Sequence, residues 1–112
     1  MARPGININE VLSTLSRIKA ALERLRRREA GVVESEGTGF PHSINLRNFR
    51  STDEIAVVTS GWYDDGALHP IFVHTTVEWD GDNHVLTLRP RDVKGEPVAG
   101  GAFVHIDWVA MV

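Results

Sequence analysis

The chain has 112 residues, 42 % of them apolar and 24 % charged, which suits one modest globular domain carrying an arm. It has no cysteine, so disulfide staples and thiolate metal sites are excluded. No apolar run reaches the roughly 18 residues needed to cross a membrane. The net charge of −3 is unevenly spread: residues 1–30 hold seven Lys/Arg against three Asp/Glu, and residues 31–112 hold five against twelve. The basic part can attract the acidic part, within a chain or between neighbours. A basic arm can also meet nucleic acid, but an oligomerising helix accounts for the same residues, and no nucleic-acid partner is expected.

Met1 to Gly5 reads as a short arm punctuated by Pro4-Gly5, and Met1 to Asn9 lacks the apolar core of a signal peptide. Asn7, three residues before Glu10, has the spacing of a capping box, with Asn9 as an alternative cap. The helix expected from there runs to about Glu29. Along it Ile8, Val11, Leu15, Ile18, Leu22 and Leu25 are spaced 3, 4, 3, 4, 3. That is a heptad seam with Ile8, Leu15 and Leu22 at a and Val11, Ile18 and Leu25 at d. A lone helix cannot bury such a seam, so it asks for copies of itself. Leu at a with β-branched residues at d leans towards trimers or tetramers. Leu12 at e and Ala21 at g widen the stripe in the same sense. The seam is about 27 Å long, and a helix of this length is marginal alone.

Glu23 is spaced to pair with Arg26 or Arg27. Arg24, Arg26, Arg27 and Arg28 crowd the last turn. They complement the negative end of the helix dipole, or they form a phosphate- or partner-binding patch; both readings stand. Gly31 fits a helix C-cap, and residues 31–39, ending in Gly37-Thr38-Gly39, read as a linker.

Beyond residue 40 the period changes to two. Ser43 to Phe49, Ile55 to Tyr63, Pro70 to Trp79 and His84 to Arg89 read as strands. Asp64-Asp65-Gly66 ends the second as a turn, and Asp80-Gly81-Asp82-Asn83 makes a hairpin between the last two. Ile71, Val73, Thr75, Val77 and Trp79 share one face, and Leu86 and Leu88 point inward. Pro90 to Gly101 reads as a long loop or bulged hairpin. Ala102 to Val112 is the clearest strand: Ala102, Val104, Ile106, Trp108, Ala110 and Val112 alternate with Phe103, His105, Asp107, Val109 and Met111. The second face is itself partly apolar, so it can meet another sheet or another protomer. The fold expected is mainly β with an N-terminal α-helix: a coiled-coil stem over residues 1–30, a linker over 31–39 and a small antiparallel β-sandwich head over 40–112. About 70 residues of β structure bury little apolar surface alone, which again favours an oligomer.

The chain carries no nucleophile elbow, phosphate loop or dinucleotide fingerprint. Without Cys, covalent catalysis needs Ser or Thr beside a His and an acid. His42-Ser43 is the nearest local pair and has no strained Gly turn around it. Neither catalysis nor a cofactor is expected. Of the five histidines, His105 shares a strand face with Asp107, and His74 lies on a strand that could be adjacent. In a trimer, one His per chain could face the axis and bind zinc; the plainer reading is polar residues at a surface or interface, and no metal is expected. Asp80, Asp82 and Asn83 form an acidic tip, but Ca²⁺ wants six to eight oxygens, and a tight hairpin explains them. Trp62, Tyr63, Asp64 and Asp65 are the candidate ligand contacts. Aromatic rings stack on flat apolar faces and carboxylates accept from hydroxyls; alternatively Trp62 is core and the Asp pair makes the turn.

A short N-terminal coiled coil leading into a small β head resembles, in layout, trimeric bacteriophage virion proteins such as tail fibres, tail-tip attachments and capsid decoration proteins. The run Val104-His105-Ile106-Asp107-Trp108-Val109-Ala110 is similar to the last strand of H-type lectin domains, where it is the Trp-[Ile/Val]-Ala end of the common Val-x-x-Trp-[Ile/Val]-Ala run that matches, Val104 standing one residue further from the Trp. That resemblance implies a six-stranded β-sandwich that trimerises and binds N-acetylgalactosamine-type sugars between protomers. The chain departs from the family in two places: His84 to Gly101 has no Trp, and the Phe-x-x-x-Pro strand opening is absent. No sugar-binding residue is carried over. The expectation is a non-enzymatic structural protein of a virion. It would be a homotrimer touching other virion proteins, with a host-surface glycan as the alternative partner.

Overall fold

Asn7 starts the helix. Its side-chain Oδ1 accepts the backbone N–H groups of Asn9 at 3.0 Å and Glu10 at 3.3 Å, satisfying two of the donors a helix start leaves open. The computed structural model describes residues 7–112, apart from the side chains of residues 24–26. The expected arm Met1–Gly5 and the Leu25 side chain therefore lie outside the described residues. Helix α1 spans Ile8–Arg26, so all six seam positions fall on it.

Seven strands follow: β1 Arg28–Glu36, β2 His42–Leu46, β3 Ala56–Asp64, β4 Leu68–Pro70, β5 Phe72–Trp79, β6 His84–Arg91 and β7 Phe103–Met111. They form two antiparallel sheets. One has the order β1-β7-β3-β4 and the other β2-β6-β5. The inner faces meet in one core, a β-sandwich-like arrangement. Val33 on β1, Leu46 on β2, Leu86 and Leu88 on β6, and Val104, Ile106, Trp108 and Ala110 on β7 are buried there together. The strict alternation along β6 and β7 supplies most of these residues, as their period-two pattern requires.

The head starts earlier than the pattern of polar residues suggested. Residues 31–39 are not a linker: β1 pairs with β7 from Arg28↔Met111 to Glu36↔Phe103, and a 3-10 turn covers Gly37–Gly39. The helix correspondingly ends at Arg26 rather than Glu29. Arg28, Glu29 and Ala30 are good helix formers, but β7 is a central strand, and its second ladder has to be filled. Only Val33 of the alternating set in β1 is a large inward side chain, so the strand signal was weak. Gly31 is not a helix cap. It faces Trp108 across the ladder, and a Cβ there would stand 2.9 Å from the indole ring. Gly31 is the gap into which the indole fits.

The stretch from Pro70 to Trp79 is two strands, broken at Ile71: β4 pairs with β3 in one sheet and β5 with β6 in the other. Residues 90–101 are not wholly loop, since β6 continues to Arg91, which bridges to Pro97, and Val98 is buried. Val112 and Trp79, the last residues of their alternating apolar sets, are exposed. The Asp80 turn forms as expected: Asp80 Oδ1 accepts the N–H groups of Asp82 at 2.9 Å and Asn83 at 2.7 Å.

The helix joins the head through Arg27 alone. It packs along none of the strands. The molecule measures 77 × 34 × 20 Å with a radius of gyration of 20.7 Å, against about 13 Å for a compact chain of this length. Arg27 does not pair with Glu23; its Nε lies 3.6 Å from Asp53 Oδ2. The Glu29 carboxylate accepts the backbone N–H groups of Arg47 and Asn48, tying β1 to the segment after β2.

Candidate functional site

Among the described residues, two surfaces expose groups of large apolar side chains. The first is the helix seam. Ile8, Val11, Leu15, Ile18 and Leu22 keep 43–70 % of their surface exposed, and Leu12 at the e position is also exposed. A row of large aliphatic side chains on one face is the kind of patch that marks an interaction surface.

The second is the outer face of the four-stranded sheet. Strand alternation and register stack it in rows. Nearest the helix come Arg28, Met111 and Ala56, then Ala30, Val109 and Val58. Next are Val32, Asp107 and Ser60, then Glu34, His105 and Trp62, and at the far end Glu36, Phe103 and Asp64. Val32, Val58, Phe103 and Met111 are exposed there although large and apolar. The helix-proximal half of the face is thus a second apolar surface, on the sheet whose edge strand leads out of the helix.

Within this face, side chains converge on His105. Its Nδ1 lies 3.2 Å from Glu34 Oε1 and its Nε2 3.0 Å from Asp107 Oδ2. The hydrogen bond to Asp107, reinforced by the charge of both carboxylates, raises the His105 pKa above its ordinary value. Trp62 lies flat against the same imidazole, with ring centroids 5.2 Å apart and an interplanar angle of 4°. Phe103 also tilts against the Trp62 indole, with ring centroids 5.8 Å apart. Period-two geometry had placed His105 and Asp107 on one face; Glu34 and Trp62 join them only through pairing between distant strands. β7 was visible as a strand, but no signal in the sequence identified its two neighbours.

The four candidate ligand contacts do not form one patch. Trp62 points outward and stays 37 % exposed. Tyr63, next along the strand, turns inward against the core and stacks on His69 at 4.7 Å. Burial, then the charge of Asp65, raises its pKa. Asp64 closes the turn by accepting the Gly66 N–H at 2.8 Å. Asp65 lies 2.8 Å from His69 Nε2, and this hydrogen bond holds its carboxyl below the usual range. The turn reading accounts for both carboxylates; the core reading of Trp62 does not hold.

The other histidines separate as well. His74 stands on the outer face of the three-stranded sheet, so it cannot join His105, which belongs to the other sheet. His84 is buried, with Nε2 2.8 Å from the Arg50 carbonyl and its ring against Trp79. His42 and Ser43 project from opposite faces of β2, and Ser43 Oγ is 3.3 Å from Thr87 Oγ1. Among the described residues no three His, Asp or Glu side chains are grouped to hold a metal ion. No described helix is long and apolar enough to cross a membrane. Compared with protein-family models, curated proteins and solved structures, the chain matches none.

Proposed function

We propose that the chain is a non-enzymatic structural component of a phage-like virion, a homotrimer whose helices coil into a stem beneath three β heads. The observation that carries this reading is the seam. Among the described residues, five large aliphatic side chains lie exposed at heptad spacing on a helix that is not packed along any of its own strands. Their a and d identities favour three or more helices over two. The apolar half of the outer sheet face lies on the same side of the head as the strand that leaves the stem, and it gives the heads a contact of their own. Docking is the mechanism: the stem sets stoichiometry and engages other virion proteins, and the heads extend outward.

Sedimentation velocity on the full chain tests it. A trimer mass that falls to a monomer, or to a much weaker assembly, when residues 1–27 are removed supports the stem as organiser. A full-length monomer refutes the proposal, and undiminished trimers of residues 28–112 refute the stem's role.

A second reading is a carbohydrate-binding, H-type lectin-like head. In its favour are two antiparallel sheets built from six main strands, with only the three-residue β4 added. Exposed Trp62 beside hydrogen-bonding Glu34, His105 and Asp107 has the right mixture for a sugar, an apolar ring next to polar acceptors. Glycan-array binding lost in Trp62→Ala with the fold kept selects this reading. Silence at high protein concentration removes it.

A further inference from the structure

The three-stranded sheet carries a cleft that shares no lining residue with the surfaces described above. It opens where β6 runs on beyond its partner: the last β2–β6 pair is His42↔Leu88, and Arg89, Pro90 and Arg91 continue past it. The chain entering β2 and the chain leaving β6 close the sides. Phe40, Pro41, Pro97 and Val98 form the apolar wall, and Arg89 and Arg91 stand at the cleft as well. Its volume is about 270 Å³.

The two arginines set its chemistry. Alternation along β6 puts both on the outer face, with backbones roughly 7 Å apart at about 3.3 Å per residue. Arg89 Nη1 donates to Thr76 Oγ1 on β5 at 3.2 Å, using one of the five N–H donors a guanidinium carries. Among the described residues no carboxylate lies within ion-pair distance of either arginine. Of the neighbouring acids, Asp92 and Glu96, the first turns one oxygen into its own loop, where Asp92 Oδ1 accepts the N–H groups of Lys94 at 2.9 Å and Glu96 at 3.0 Å. Residues 31–112 hold twelve acids against five Lys/Arg, so two guanidiniums without a carboxylate oppose the trend of the head. An apolar wall beside a guanidinium lowers the local dielectric and so strengthens a charge-assisted contact made there.

We infer that the Phe40–Arg89–Arg91 cleft binds a small organic carboxylate with an apolar body. The guanidiniums hold the carboxylate, whose planar oxygens match an arginine fork, and the body lies against Phe40 and the prolines. The volume sits just under the roughly 300–1,000 Å³ of ordinary ligand pockets, which restricts the ligand to about one ring and a short chain. The site is independent of the stem, the outer face of the four-stranded sheet and the assembly reading.

Titration of the full chain with phenylacetate, followed by backbone amide shifts and calorimetry, tests the assignment. Expected are saturable shifts confined to Gly37, Phe40, Arg89, Arg91 and Val98. Binding should be about tenfold or more weaker for uncharged phenylacetamide and for Arg89→Gln and Arg91→Gln, the loss of a charge-assisted contact. Amide spectra unchanged outside the cleft show that these variants keep the fold. N-acetylneuraminate puts the same carboxylate on a polar body and should bind more weakly than phenylacetate. The inference is overturned if acid and amide bind equally, if both Arg variants bind like the parent chain, if the sugar acid binds more tightly, or if no shift saturates at millimolar ligand.

Discussion

Truncating Leu15 to alanine separates a covered seam from an idle one. Leu15 is 56 % exposed in the single chain. Full burial of a leucine contributes about 2–3 kcal/mol, so covering the exposed part adds roughly 1 kcal/mol per chain. Leu15→Ala removes nearly all of that. In a three-helix stem the change occurs three times, for a loss of about 3 kcal/mol per assembly, or roughly two decades in the association constant. Any cavity left at the axis adds to it. Sedimentation equilibrium over a wide concentration range reads the constant directly. Circular dichroism supplies a second readout: the 19-residue helix is marginal by itself, so dissociation should lower helical signal while the β signal stays. Leu15→Asp should dissociate the assembly further, because three carboxylates would share one apolar axis. An association constant unchanged within about threefold in Leu15→Ala would refute the claim that this ridge is covered by copies of itself.

Three further outcomes follow from the head. Gly31→Ala should cost about 1–3 kcal/mol in urea denaturation, because the new methyl meets the Trp108 ring at 2.9 Å and the buried indole has no room to retreat; an unchanged midpoint would show that the ring gives way. Leu86→Ala should cost about 2–5 kcal/mol by the same measurement, since Leu86 is fully buried at the centre of the core. The His105 cluster gives a pH dependence: its pKa is raised above 6.5 by Asp107 and Glu34, so its contribution is complete below pH 6.5 and disappears as pH rises through the raised value. Melting of the parent chain should therefore decline over that interval relative to His105→Gln, and parallel profiles for the two would exclude His105 as the source.

The features carried by one periodic stretch were legible in the residues. The Asn7 cap and the seam need only local spacing, and the Asp80 turn needs only a carboxylate two and three residues before the N–H groups it accepts. β7 was legible because Ala102 to Ala110 alternates without interruption. What stayed hidden was pairing between distant strands. β1 was hidden behind helix-favouring Arg28, Glu29 and Ala30, and behind polar residues that look like linker. Gly31 reads equally well as a helix cap or as room for a ring, and only the position of Trp108 distinguishes the two. The aromatic-acid stretch Trp62 to Asp65 suggested one patch, but a strand sends neighbouring side chains to opposite faces, which separates Trp62 from Tyr63.

By itself, then, the amino-acid order settled the type of most elements and the presence of an apolar ridge, because helix caps, turns and period-two or heptad spacing depend on neighbours a few residues apart. Tertiary structure decided which strands are adjacent, and with them the Glu34–His105–Asp107–Trp62 cluster and the Arg89–Arg91 cleft. Each brings together residues from strands far apart in the chain, and such encounters are set by how two sheets share one core rather than by local spacing.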